Sequence, residues 1–119
     1  MATHNDLGLR GEQLAIDYLE EIGYTILERN YRYLKAEIDI IAKKDDLLVV
    51  IEVKTRSSTY FGKPENFVNS KKIKLMVQAA DHYVNKRDFD VNIRFDIIGI
   101  VYLETTYELD HIKDAFLYF

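Results

Sequence analysis

The 119-residue sequence contains no cysteine, no tryptophan and a single proline. The absence of cysteine excludes a disulfide scaffold, a thiolate zinc site and a cysteine nucleophile, and it favours a reducing compartment. The longest apolar run, residues 47–51, is far too short to span a membrane. The first residues lack the basic and apolar regions of a signal peptide, so we expect a cytoplasmic protein without a membrane partner.

The chain also lacks an excess of basic residues. Its 16 Lys and Arg residues against 20 Asp and Glu residues give a formal net charge of −4, which argues against nucleic-acid binding through overall charge. Segment 54–74 departs from this average, because it carries six basic residues and a single acid, Glu65. The sequence therefore predicts either an acidic body with a groove for a polyanion or a surface whose charges are merely uneven.

Chain length and the absence of a linker predict one domain that spans residues 1–119. Apolar residues recur at helical spacing over about residues 7–22, where Gly23 supplies the stop, and again over 73–84, where Ser70 is the expected N-cap. Four segments have strand patterns, and the type of segment 109–119 stays open. This order, α-β-β-β-α-β, predicts an α/β fold with a mixed sheet flanked by helices. The predicted strands cover residues 24–33, 36–43, 47–55 and 93–103.

Charged residues interrupt two neighbouring predicted strands. Glu52 and Lys54 follow an apolar run and are two residues apart, so they share a face of their strand. In the preceding strand Asp39 lies on one face, and we expect Ile38 and Ile40 together on the other. Burying such charges is costly unless they are paired, bound to a cation or close to the rim of the sheet.

The two strands predict a cation site if the loop between them has two residues. Asp39 then lies opposite Glu52, with β-carbons about 5 Å apart, and two such carboxylates repel each other without a cation. A donor set of oxygens alone favours Mg²⁺ or Mn²⁺. Lys54 would hold an attacking water or stabilise charge on a phosphoryl group. The same three residues also suit a salt-bridge network that needs no metal.

The first predicted helix adds a further carboxylate and two glycines. Glu12 lies at the border of the apolar stripe, where it is either an additional group of the metal site or a first-turn acid that favours the helix dipole. Gly8 and Gly11 cost helix stability, so we expect the backbone there to approach the sheet or a ligand closely.

Basic residues near the second helix are the candidates for nucleic-acid contact. Lys71, Lys74 and Gln78 lie on the side away from the apolar stripe, which is typical of a solvated face. The sharper interpretation is that Arg56, Lys71 and Lys74 contact phosphates while Gln78 donates a hydrogen bond near the metal site.

Taken together, these motifs resemble the YraN-like family of small bacterial endonuclease-like proteins, within the PD-(D/E)XK nuclease superfamily. The resemblance covers about residues 7–103 and implies a restriction-endonuclease-like core. It also implies that Asp39 and Glu52 bind the metal, that Lys54 is the catalytic lysine, and that Glu12 matches an acid of the Holliday-junction resolvases. Ala36 departs from the family pattern, which usually has glycine there. The segments that carry the resemblance are 8–12, 23–24, 29–32, 37–41, 52–56 and 95–96.

Two functional hypotheses follow. The first is a Mg²⁺- or Mn²⁺-dependent endonuclease that cleaves DNA, including branched or structured DNA. The second is a non-catalytic module that keeps the fold and binds DNA or a protein partner, as the net acidity and the apolar tail 115–119 would suit. We also expect a homodimer, because junction resolvases need two active sites and the tail offers an apolar surface.

Overall fold

The computed structural model describes residues 4–57 and 69–115, with side chains from residue 8 onward. The predicted order of helices and strands is confirmed. The segment whose type stayed open begins as a strand, and its last four residues lie outside the described ranges. The elements are α1 (His4–Glu21), β1 (Thr25–Tyr33), β2 (Ala36–Lys44), β3 (Leu47–Arg56), α2 (Ser70–Arg87), β4 (Asn92–Tyr102) and β5 (Tyr107–Ile112).

The strands form one mixed sheet in the order β1-β2-β3-β4-β5. β3 and β4 are parallel because α2 connects them as a crossover, and the other neighbouring strands are antiparallel. α1 packs on one face against Ile51 and Ile98, and α2 packs on the other against Val50 and Phe95. This architecture is compatible with a restriction-endonuclease-like core. Neither described helix is long and apolar enough to cross a membrane.

The helix ends follow from local residue chemistry. Gly23 ends α1 with φ +99°, a left-handed conformation that glycine adopts without steric cost. The prediction that Ser70 caps α2 is wrong, because the Asn69 side chain accepts the hydrogen bond from the backbone N–H of Lys72 at 2.9 Å. Asn and Ser are equally good N-caps, so adjacent candidates differ only in the backbone they adopt.

Only one of the two glycines in α1 marks a close approach. A β-carbon on Gly11 would lie 2.0 Å from Oγ1 of Thr55, so α1 rests directly on β3 at this point. A β-carbon on Gly8 would meet nothing within 4 Å, so the expected close approach to the sheet is wrong there, and approach to a ligand stays a prediction. Gly8 lies about two turns before Ala15, the first residue of α1 in the hydrophobic core.

The side-chain alternation of β2 changes face at Asp39. Ile38 packs under α2, whereas Ile40 packs under α1, so the expectation that they share a face is wrong. Opposite this point in β1, Asn30 has φ 53°. The residues on either side of Asn30 and Asp39 pair across the two strands, but Asn30 and Asp39 do not pair with each other. The left-handed residue turns the ribbon locally, which sets Asp39 apart from the regular strand.

Candidate metal and nucleic-acid site

The hairpin between β2 and β3 has the two-residue loop and the register on which the predicted cation site depends. Its ladder runs as far as the pair Ile40 and Ile51, as expected. One position further, Oδ2 of Asp39 accepts the backbone N–H of Val53 at 2.8 Å, in the place where a backbone carbonyl would continue the ladder. The carboxylate therefore lies at the end of the ladder, beside Glu52.

Asp39 and Glu52 line one cavity of about 400 Å³ between the end of this hairpin and α2. The sequence prediction that the two carboxylates face a common space is confirmed in this sense. The rest of the lining is mostly basic and polar, with an apolar floor from α2. The other lining residues are Lys35, Ala36, Glu37, Asn69, Lys71, Lys72, Leu75 and Met76.

Glu52 is a buried carboxylate whose two oxygens differ. It is 4% exposed, and its Oε1 lies 2.8 Å from Nζ of Lys72 and 3.8 Å from Nζ of Lys54. Its Oε2 is buried and has no hydrogen-bond partner among the described residues. A buried oxygen without a partner is costly to the folded protein. Binding of a cation or a hydrogen-bond donor to Oε2 of Glu52 would remove that cost.

Burial and the neighbouring charge of Glu52 raise the pKa of Asp39 from 3.8 to about 7. The hydrogen bond from Val53 and the charge of Lys72 act in the opposite direction but do not outweigh them. A carboxyl group in this state binds a proton near neutral pH when no other cation is present. A divalent cation would take the place of that proton.

Glu12 of α1 lies beside this pair without lining the cavity. Burial raises the pKa of Glu12, against the charge of Arg29 and a hydrogen bond from Asn30, and the charge of Glu12 in turn raises the pKa of Asp39. Its Oε1 is buried without a hydrogen-bond partner in the described part of the chain. The predicted proximity of Glu12 to the strand carboxylates is therefore present.

The predicted phosphate-binding residues are dispersed. Lys71 lines the cavity, whereas Lys74 and Gln78 are exposed residues of α2 that do not line it. Arg56 is the last residue of β3 and lies two residues beyond Lys54 on that strand, half-buried. Contact of these four residues with nucleic acid stays a prediction.

Lys72 is the site residue that sequence reasoning missed. Its side chain makes the shortest ion pair of the site, at 2.8 Å to Glu52. A signal was present in the sequence, because Lys72 precedes the buried Met76 by four residues and so lies on the same side of the helix. Lys35 was also missed, since its place at the rim depends on how the β1–β2 hairpin turns.

The donor set fits Mg²⁺ or Mn²⁺. Within residues 4–57 and 69–115, no three His, Cys, Asp or Glu side chains are arranged to hold a metal ion together. Mg²⁺, however, is usually held by one or two carboxylates and keeps several waters. Asp39 and Glu52 would supply these carboxylates, and the unpartnered Oε2 of Glu52 is an oxygen that such an ion would satisfy.

The chain is similar over its whole length to proteins of several bacteria. It is 52% identical to a UPF0102 protein of Christiangramia forsetii and 50% identical to UPF0102 protein FP2501 of Flavobacterium psychrophilum, each over all of both chains. It is 50% identical to a UPF0102 protein of Bacteroides thetaiotaomicron over 98% of this chain and 96% of that one. The model of "Uncharacterised protein family UPF0102" matches residues 11–100. The chain therefore belongs to the UPF0102 (YraN) family.

Proposed function

We propose that this protein is a Mg²⁺-dependent endonuclease that hydrolyses phosphodiester bonds in DNA. The observation that carries the proposal is the pair Asp39 and Glu52, which line one cavity, where burial and the neighbouring charge of Glu52 raise the pKa of Asp39 to about 7. A buried and a partly buried carboxylate held side by side are costly to the folded protein unless they bind a cation. Perturbed carboxyl groups in a cavity are typical of functional sites.

The surrounding residues suit phosphodiester hydrolysis. When bound, Mg²⁺ would neutralise charge on the phosphate and polarise its oxygens. Lys54 lies 3.8 Å from Glu52, on the same face of β3, where its ammonium group can donate a hydrogen bond to the attacking water. Lys35 and Lys71 line the cavity, where they can contact the phosphates on either side of the scissile bond.

DNA is the polyanion that best explains three lysines beside the paired carboxylates of one cavity on an acidic chain. The net charge of −4 would repel DNA from most of the surface, so binding would depend on the few lysines at the cavity. Such binding weakens with salt in proportion to the number of phosphates contacted. We expect a shallow salt dependence, set by about three or four phosphate contacts.

The proposal is tested by incubating the purified protein with Mg²⁺ or Mn²⁺ and with linear, nicked and four-way-junction DNA. Lys54→Ala should abolish cleavage while the protein stays folded, because Lys72 still pairs with Glu52. Lys86→Ala, an exposed change in the last turn of α2, is the matched control and should cleave like the wild type. Equal cleavage by Lys54→Ala and the wild type would refute the assignment.

A second candidate, a non-catalytic module that binds DNA or a protein, is favoured by the ion pair between Lys72 and Glu52. At 2.8 Å this pair already offsets the charge of Glu52 without a metal. The two candidates differ in their response to metal, since a cation that binds only the native state raises the melting temperature by mass action. Mg²⁺ or Mn²⁺ should stabilise the wild type and not Glu52→Ala under the endonuclease proposal. No shift in the wild type would support the module.

A further inference from the structure

Leu34 combines two unfavourable features at the tip of the β1–β2 hairpin. Its side chain is 75% exposed, more than any other large apolar side chain in the described residues. Its backbone has φ 55°, in the left-handed region that a branched side chain rarely adopts. Asn or Gly would be less strained and more soluble at this turn. The cost of Leu34 to folding therefore indicates a use for its apolar side chain.

The tip that carries Leu34 is held firmly against α2. The ring of Tyr33 stacks on His82 with centroids 3.9 Å apart and planes at 17°. Two residues earlier, Tyr31 meets Tyr83 edge-on at 5.1 Å. These ring contacts hold the hairpin against α2 and fix the direction in which the exposed side chain of Leu34 projects.

Leu34 is next in sequence to a residue that lines the cavity of the two carboxylates. Lys35 follows Leu34 directly and lines the cavity together with Asp39 and Glu52. Lys71 contributes a second ammonium group to the same lining. A nucleic-acid strand that places a phosphate in the cavity would therefore pass next to Leu34. Proteins that insert a side chain between base pairs use basic residues to hold the DNA and a projecting apolar side chain to enter the stack.

We propose that Leu34 inserts between adjacent base pairs of DNA beside the cavity. The favoured substrates are then duplexes with a step that opens easily, such as a bulge, a nick or a junction. Inserting a side chain costs the stacking energy of the step, and that cost is least where pairing or stacking is already interrupted. The inference rests on the proposed function, because it assumes that DNA lies over the cavity, and it names the class of DNA that the site selects.

The test uses the full chain with Ca²⁺ and two DNA duplexes that carry 2-aminopurine, one fully paired and one with a single bulged base. The wild type should bind the bulged duplex about tenfold more tightly and raise the 2-aminopurine fluorescence of the step that it opens. Leu34→Asn should lose both the preference and the fluorescence increase. Leu103→Asn, which changes another exposed leucine, is the matched control and should behave like the wild type.

The outcomes separate the two proposals. Leu34→Asn should fold at least as stably as the wild type, because Asn accepts the left-handed backbone more easily, and a melting curve checks this. Leu34→Met should keep the preference for the bulged duplex, since it restores an apolar wedge. A wild type that binds DNA without raising the fluorescence, or a Leu34→Asn variant with the full preference, would overturn the wedge alone. A wild type that binds neither duplex would overturn the proposed function as well.

Discussion

Replacing Asp39 by Asn should stabilise the metal-free protein. The change removes the charge that Glu52 repels, and an amide oxygen can still accept the backbone N–H of Val53. The expected sign is unusual, because most substitutions at polar, partly buried positions destabilise a protein. It follows directly from a carboxylate that the fold holds beside another carboxylate.

The magnitude follows from the pKa of Asp39. A rise in this pKa from 3.8 to about 7 lowers the free energy of unfolding by about 4 kcal/mol at pH 7 and above. Asn removes the charge but keeps a polar group that must be desolvated, so we expect a gain of about 1–2 kcal/mol. Because the folded pKa is raised, the penalty is absent below pH 3.8 and grows as the pH rises to about 7. The advantage of Asp39→Asn should follow the same course.

Urea unfolding in the presence of EDTA, at pH 4, 6 and 8, measures this effect. Asp110→Asn, an exposed change in β5, is the matched control and should alter the free energy of unfolding little at any of these values. A loss of stability by Asp39→Asn at pH 8 would refute the reasoning. It would support a salt-bridge network in which Asp39 stabilises its basic neighbours.

Three further perturbations test other parts of the structure. Lys72→Met removes the ammonium group 2.8 Å from Glu52, so it should lower the free energy of unfolding by about 1–2 kcal/mol without metal and tighten Mn²⁺ binding. Weaker Mn²⁺ binding, measured by calorimetry, would contradict this. Gly11→Ala should lower the free energy of unfolding in urea by about 1–2 kcal/mol, since overpacking against Thr55 exceeds the gain in helix propensity. Adding Thr55→Ala to Gly11→Ala should recover most of that loss, and additive losses in the double variant would contradict the contact. Burial alone would raise the pKa of Asp96, but hydrogen bonds from His111, Arg94 and the backbone lower it. The titration of the Asp96 carboxyl group followed by NMR should therefore have a midpoint below 3.8, and the stability of the protein should fall as the pH drops through that midpoint. A midpoint above 3.8 would contradict this balance.

The strand pattern predicted the candidate site because its register depends on simple counting. If the polar break before β3 is a two-residue hairpin loop, as the structure has it, that loop sets which residues of the two strands face each other. Glu52 and Lys54 share a face for the same reason of strand geometry. These parts of the site follow from local rules that tertiary contacts do not override.

Other features depended on contacts that no local pattern contains. The change of face at Asp39 depends on the left-handed Asn30 in the neighbouring strand, and period-two alternation cannot show it. Lys72 was missed because its pairing with Glu52 requires knowing how α2 lies over β3. The N-cap of α2 was misplaced by one residue, since Asn69 and Ser70 have the same capping chemistry.

Diffraction from crystals soaked in Mn²⁺, recorded at the manganese absorption edge, tests the central claim most directly. The account predicts one anomalous peak within ligand distance of the carboxylates of Asp39 and Glu52, surrounded by oxygen ligands only. Crystals of Glu52→Ala should lack this peak under the same conditions. A saturating soak that leaves the space between Asp39 and Glu52 without a peak would contradict the account.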